Sequence, residues 1–118
     1  MLPAAHRLRD GATFRAAIRS GRRAGRRTLV VHLWTDPAAG ADPAARVGLV
    51  VSKAVGNAVV RNQVKRRLRH LAREHVSTLP GSAVLVVRAL PPAATATSSE
   101  LGADLARCLE RTRAEVAR

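Results

Sequence analysis

Acidic residues are scarce in this 118-residue chain, which carries eight Asp and Glu against 21 Lys and Arg. Between Pro43 and Ser99 the only acid is Glu74, so the clustered carboxylates that metal-assisted phosphodiester cleavage needs are missing. His70 and His75 are five residues apart, which does not match the i, i+4 spacing of a helical zinc pair. We therefore predict no catalytic residue, no metal site and no cofactor bound by the protein alone.

Cysteine and long apolar runs are equally scarce. A single cysteine, Cys108, excludes an internal disulfide and fits a reducing compartment, and its place on an apolar helical stripe predicts core packing. No apolar run approaches the ~18 residues of a membrane span, and the N-terminus lacks the apolar block of a secretory signal. We expect a cytoplasmic protein with no membrane partner.

The basic residues are concentrated in one part of the chain. The formal net charge is +13, and all of this excess falls within residues 1–73, because residues 74–118 hold five cations and five acids. Such a charge is self-repulsive unless an anionic partner neutralises it. Nucleic acid is the expected partner, and a generically basic surface is the alternative.

Hydrophobic periodicity predicts one α+β domain spanning residues 1–118. Asp10 can cap a first helix that ends at Gly21, and Thr97 and Glu100 form a capping box before a last helix with an apolar stripe. Strands are expected at 28–34, 46–52 and 82–89, the first two paired as a hairpin around the loop 36–45. The predicted architecture is a small, mostly antiparallel sheet with elements in the order α-β-β-(β)-α-β-α, the bracketed strand being optional.

The segment from residue 52 to residue 74 is the most informative. It predicts a helix from about Val59 or Val60 to His75, with an apolar arc and an adjoining basic one. The apolar arc holds Val64, Leu68, Leu71 and Ala72, and the basic arc holds Arg61, Asn62, Lys65, Arg66, Arg69 and Arg73. Like charges at i, i+4 destabilise an isolated helix, which favours phosphate contact over a merely solvated face. Gly56, before the helix, permits close backbone approach or positive φ, and an ordinary turn is the alternative.

The same segment, GNAVVRNQVKRRLR, resembles the motif of the bacterial ribonuclease P protein family, in which Arg-Asn-x-x-Lys-Arg opens a helix after a Ser-Lys loop. Residues further upstream also match, so the resemblance covers nearly the whole chain. They are Arg7-Leu8, Phe14, Gly21 and Arg46-Val-Gly48.

This resemblance implies a left-handed βαβ crossover and a subunit that helps a catalytic RNA remove the 5′ leader of precursor transfer RNA. The partners implied are ribonuclease P RNA and precursor transfer RNA, with Mg²⁺ held by the RNA, and no obligate protein partner is evident. Residues implied to bind the RNA subunit are Ser52, Lys53, Asn57, Arg61, Asn62, Lys65, Arg66 and Arg69. Residues implied to bind the leader are Phe14, Ile18, Val30, His32 and Arg46.

Two positions depart from the family pattern, since Ile18 and His32 stand where relatives often have aromatic residues. Base stacking is weaker on an imidazole and absent on isoleucine. Phe14 is open to either core packing or leader contact, and packing is favoured for Trp34. The rival functions are a structural RNA-binding protein, such as a ribosomal component, and a DNA-binding module.

Overall fold

The computed structural model describes residues 6–37, 44–79 and 81–117, with side chains described as far as Arg113. The predicted helices and strands are confirmed to within a few residues. The elements in chain order are α1 (Gly11–Ser20), β1 (Arg22–Gly25), β2 (Leu29–Thr35), β3 (Arg46–Val50), α2 (Ala58–Val76), β4 (Ala83–Ala89), a short 3-10 helix (Pro91–Ala94) and α3 (Ser98–Ala117). Most of the predicted loop 36–45 lies outside the described residues.

The four strands form one mixed sheet in the order β1-β2-β4-β3. The pairs β1·β2 and β2·β4 are antiparallel, whereas β3 runs parallel to β4 and is joined to it through α2. The expected hairpin between β2 and β3 is wrong, because β4 lies between them. β4 has six of its seven residues buried, and a strand that is apolar on both faces belongs at the centre of a sheet. The βαβ crossover is present, and its left-handed sense stays a prediction.

The larger core lies between one face of the sheet and the two long helices. Leu29 and Val31 of β2 and Leu85 of β4 are fully buried there. The helical side chains packed on them are Val64, Leu68 and Ala72 of α2, and Leu101, Leu105, Cys108 and Leu109 of α3. Each fully buried leucine contributes about 1.5 to 3 kcal/mol relative to exposure. The predicted apolar stripes, including core packing of Cys108, are confirmed.

The opposite face of the sheet is covered by α1 and the chain that precedes it. Ala17 and Leu8 are buried against Val84 and Val86 of β4, with Phe14, Trp34 and Val50 packed alongside. Gly48 of β3 lies directly beneath the Phe14 ring, which a Cβ at position 48 would strike. The ring therefore depends on glycine at this position.

Side-chain caps fix the ends of α1 and α3, as predicted. Asp10 accepts hydrogen bonds from the Ala12 N–H (3.1 Å) and the Thr13 hydroxyl (2.7 Å). At α3 the Thr97 N–H donates to Glu100 (3.0 Å) while the Glu100 N–H donates to Thr97 (3.1 Å), a reciprocal capping box. These bonds, led by the Thr13 hydroxyl and the Thr97 N–H respectively, lower the pKa values of Asp10 and Glu100.

One polar contact between α3 and the sheet was not foreseen. Asp104 accepts hydrogen bonds from the backbone N–H (3.2 Å) and the hydroxyl (2.6 Å) of Thr28, a fully buried residue directly before β2. The Asp104 carboxylate fastens the β1–β2 turn to α3.

Candidate nucleic-acid interface

The basic helix has the two-sided character that the sequence predicts. Val64, Leu68 and Ala72 are at most 1% exposed and attach α2 to the sheet. The adjoining arc turns toward solvent, with Lys65 half-buried and Arg69 exposed. The remaining members of this arc are Arg61, which is half-buried, and Asn62, Arg66 and Arg73, which are exposed. The apolar stripe thus holds the basic face at the surface in a fixed orientation.

Within the described residues, no salt bridge involves a cation of α2, since the three ion pairs there belong to Arg26, Arg27 and Arg46. Arg61, Lys65, Arg69 and Arg73 follow one another at i, i+4 along the helix. The Nε of Arg61 is buried and makes no hydrogen bond with any described group. This face carries positive charge that the described part of the fold does not offset.

Arg67 differs from the other cations of the helix. Its Nη1 donates a hydrogen bond to the Ala96 carbonyl (3.2 Å), in the segment that leads into α3. It therefore lies away from the basic arc, as the helical wheel predicts, and it helps to hold α2 against the rest of the fold.

The loop before α2 positions the start of the basic helix. The Asn57 side chain accepts a hydrogen bond from the Val60 N–H (3.0 Å) and caps the helix. A Cβ on Gly56 would lie 2.8 Å from Val60 Cγ1, and no described glycine has positive φ, so close approach rather than an unusual turn explains this glycine. Ser52 and Lys53 are both exposed beside this cap.

A pocket of about 300 Å³ joins α2 to β3 and to the chain before α1. Leu8 N–H donates to the Val47 carbonyl (2.8 Å), which lays the N-terminal segment along the outer edge of β3. Four cations contribute to the pocket lining, which consists of Arg7, Leu8, Arg9, Phe14, Val47, Gly48, Leu49, Lys65 and Arg69. A cationic pocket with an aromatic ring on one wall suits a phosphate that is followed by an unstacked base.

The predicted leader-binding residues are only partly accessible. Phe14 lines the pocket and Ile18, on α1, is 39% exposed. Val30 and His32 lie on the predicted face of β2 but are 5% and 3% exposed. Arg46 is half-buried and paired with Asp36 at 2.8 Å.

His32 is a buried polar residue that has no hydrogen-bond partner among the described residues. Neither ring nitrogen hydrogen-bonds to a described group. Burial, followed by the positive charges of Arg88 and Arg23, lowers the pKa of His32. The imidazole is therefore neutral near pH 7 and packs as part of the sheet.

Three cations around this site were missed by sequence reasoning. Arg7 and Arg9 flank a buried leucine at the N-terminus, an alternation that could have indicated a short strand beside β3. Arg88 is the one exposed residue of β4, a central strand, and it lies on the same face as Val30, its cross-strand partner. A charged residue in an otherwise apolar strand was the available signal.

Within the described ranges, no group of three or more His, Cys, Asp or Glu side chains is arranged so that it could hold a metal ion. In the same part of the chain, no helix is both long enough and apolar enough to cross a bilayer.

Comparison with known proteins gives consistent matches over the chain. The family model described as ribonuclease P matches residues 2–113. A ribonuclease P protein component from a Nocardioides species is 76% identical over 116 residues, 98% of each chain, and one from Streptomyces avermitilis is 55% identical over 94% of each. The Staphylococcus aureus ribonuclease P protein structure is similar with a TM-score of 0.76 at 28% identity, covering 89% of this chain and 93% of that one. A Thermotoga maritima structure, at 21% identity and TM-score 0.71 over 85% and 94% of the chains, shares the fold.

Proposed function

This chain belongs to the ribonuclease P protein family, and from that premise we propose how it acts as the protein subunit of the endoribonuclease that removes 5′ leaders from precursor transfer RNA. Catalysis in this enzyme resides in the RNA subunit. The contribution of the protein is therefore binding, orientation and charge neutralisation.

The basic face of α2 and the loop before it bind the catalytic RNA. Guanidinium groups grip phosphate oxygens in pairs, and an exposed amide such as that of Asn62 suits a ribose hydroxyl or a base edge. The contact residues we propose are Ser52, Lys53, Asn57, Arg61, Asn62, Lys65, Arg66 and Arg69. The observation that carries this proposal is the row of like charges on α2 that no described acid offsets.

The single-stranded leader of precursor transfer RNA binds across the α1 side of the sheet, starting from the pocket at Phe14. Arg7 and Arg9 line this pocket and supply phosphate contacts, while the Phe14 ring offers a face for one base. Ile18 and Arg88 extend the binding surface along the same side. Val30 and His32, both buried, form its floor, and Arg46 borders it while paired with Asp36.

Mg²⁺ ions needed for cleavage are held by the catalytic RNA. The protein lowers the requirement for these ions, because its cations reduce the repulsion between the leader phosphates and the catalytic RNA. We place this assembly in the cytoplasm, as expected for a protein that processes newly made transfer RNA.

Reconstitution tests the proposal. Precursor transfer RNA is incubated with a bacterial ribonuclease P RNA at low Mg²⁺, with this protein, without it, and with spermidine as a simple polycation. We expect leader removal to be faster with the protein than with spermidine at equal total charge. If the protein gives no enhancement over spermidine, a purely structural RNA-binding role becomes the better interpretation.

A further inference from the structure

A second concentration of arginine lies outside the surfaces assigned so far. Residues 19–27, RSGRRAGRR, hold five arginines and no acid. This equals the number of cations on the basic arc of α2. We call the set Arg19, Arg22, Arg23, Arg26 and Arg27 the β1-edge surface.

The β1-edge surface lies at the edge of the sheet opposite to the one on which the basic helix packs. In the strand order β1-β2-β4-β3, β1 forms one edge, while α2 packs on β3 at the other. Three inter-strand spacings separate the edges, about 14 Å at the usual distance between neighbouring strands. On the face that carries α2, the helix α3 packs on β1 and β2 and so lies between the basic helix and the β1 edge.

The arginines of this surface wrap around the edge rather than facing one side. Arg23 pairs with His32, on the α1 face, whereas Arg22 pairs with Leu33, which belongs to the opposite face. Arg26 and Arg27 follow at the turn beside a pocket of about 490 Å³ at the start of α3. Arg23 therefore belongs to the face on which the leader is proposed to lie, whereas Arg22 belongs to the opposite face.

The ion pairs of this surface leave most of its charge available. Arg26 lies 3.7 Å from Asp104 and Arg27 lies 3.5 Å from Glu100, and their side chains stay 45% and 64% exposed. Exposed pairs at such distances contribute little and are readily exchanged for phosphate contacts. Arg19, Arg22 and Arg23 are exposed and take part in no ion pair between described residues.

Protection of an edge strand against aggregation is a structural explanation for charge at β1. It accounts for one or two arginines on the strand itself, Arg22 and Arg23. It does not account for Arg19, which lies on α1, or for Arg26 and Arg27, which follow the strand. The extent of the charge therefore requires a further reason.

We propose that the β1-edge surface binds the phosphate backbone of a second segment of the catalytic RNA, so that the protein bridges two separate parts of that RNA. This inference rests on the proposed function of the α2 face. The catalytic RNA fits better than the substrate, because a net charge of +13 opposes the compact fold at every stage of turnover and the substrate leaves after each cycle.

Footprinting of the assembled ribonucleoprotein tests the bridge. Hydroxyl-radical protection of the RNA backbone is compared for the wild-type protein, Lys65→Ala/Arg69→Ala on α2, and Arg22→Glu/Arg23→Glu on β1. The glutamates keep the strand edge charged, so edge protection is retained while phosphate binding is lost. Two exposed arginines of α3 supply matched controls, Arg107→Ala/Arg111→Ala for the α2 variant and Arg107→Glu/Arg111→Glu for the β1 variant.

We expect each of the two test variants to lose protection at a different RNA segment, and the controls to lose none. In addition, Arg22→Ala/Arg23→Ala should reduce the salt slope of RNA binding by about 1.4 to 1.8, or 0.7 to 0.9 per phosphate contact. A full wild-type footprint with the β1 variants, or loss confined to precursor transfer RNA, would overturn the bridge. In either result the reconstitution assay still decides the proposed function separately, since it uses the wild-type protein.

Discussion

The two long helices pack on the same face of the sheet but carry their charges differently. The helix α3 has four acids and three arginines, and two of its acids, Glu100 and Asp104, are engaged in the capping box and in the bonds to Thr28. The helix α2 has six Lys and Arg and one acid, and among the described contacts only Arg67 of these cations donates to another part of the fold. Two acids of α3 thus stabilise the fold, whereas the cations on the basic arc of α2 form no ion pair within the described residues.

The largest effect on stability should come from the buried leucines by which both helices pack on the sheet. Leu68→Ala in α2 and Leu105→Ala in α3 should each lower the free energy of unfolding by about 2 to 5 kcal/mol, because both side chains are fully buried. Urea denaturation measures the change, with Glu110→Ala on the exposed side of α3 as the control. A loss below 1 kcal/mol at either leucine would show that this helix contributes less to the core than its burial indicates.

A smaller loss of stability should follow removal of the Asp104 carboxylate, a polar contact to the sheet that has no counterpart in the described contacts of α2. Asp104→Ala leaves the buried N–H and hydroxyl of Thr28 without their acceptor, which costs about 1 to 3 kcal/mol of stability. The same urea measurement checks this, and a variant as stable as wild type would mean that the Asp104 contact is not a fold-stabilising one.

The buried imidazole on the α1 face gives a prediction about pH. Because the folded-state pKa of His32 is lowered, the unfolded chain takes up a proton that the folded chain does not. The contribution of the neutral imidazole to the free energy of unfolding is therefore fully present above the pKa of His32 in the unfolded chain, about 6.5. It is lost as the pH falls from that value toward the folded-state pKa, by at most about 1.4 kcal/mol per pH unit.

His32→Leu should remove this dependence, measured as the free energy of unfolding between pH 5 and pH 8. NMR titration of the His32 ring checks the direction of the shift independently. A ring that titrates at or above its ordinary value would show that Arg23, Arg88 and burial do not act on it as described.

A smaller effect is expected at Phe14, which packs within the fold and is also proposed to contact the leader. Phe14→Ala should weaken binding of precursor over mature transfer RNA by about 1 kcal/mol, if one stacked base is lost. The ring also packs over Gly48, so stability should fall as well. Equal weakening for both RNAs, with reduced stability, would assign Phe14 to the core alone.

Sequence periodicity was sufficient for the elements but not for their pairing. The apolar stripes of α2 and α3 and the caps at Asp10 and Thr97 are local features, and the structure confirms them. Strand order depends on contacts between distant segments, which is why the expected pairing of β2 with β3 was wrong. Three strands precede α2, as the element order with its optional strand allows, but the sequence did not locate β1, because three of its four residues are arginine or glycine.

The candidate site shows the same division. A helical wheel is enough to identify the basic face of α2, because its cations are neighbours on one helix. The contributions of Arg7, Arg9 and Arg88 depend on where β3 and β4 lie, and the cover over His32 depends on α1. Tertiary placement, rather than residue type, determines these parts of the surface.

The contrast between the helices is tested most directly by a salt titration of binding to a bacterial ribonuclease P RNA. Lys65→Ala/Arg69→Ala and Arg107→Ala/Arg111→Ala each remove two positive charges, from α2 and α3 respectively. Arg67 is a poorer control than the α3 pair, because its replacement also breaks the bond to Ala96.

We predict that the α2 variant binds more weakly, with a salt slope reduced by about 1.4 to 1.8, while the α3 variant binds like wild type. Thermal melts should show the α2 variant unchanged or more stable by about 0.2 to 0.5 kcal/mol per relieved like-charge pair. Equal losses of affinity and slope in both variants would mean that the protein acts only as diffuse positive charge, which contradicts a specific docking face on α2.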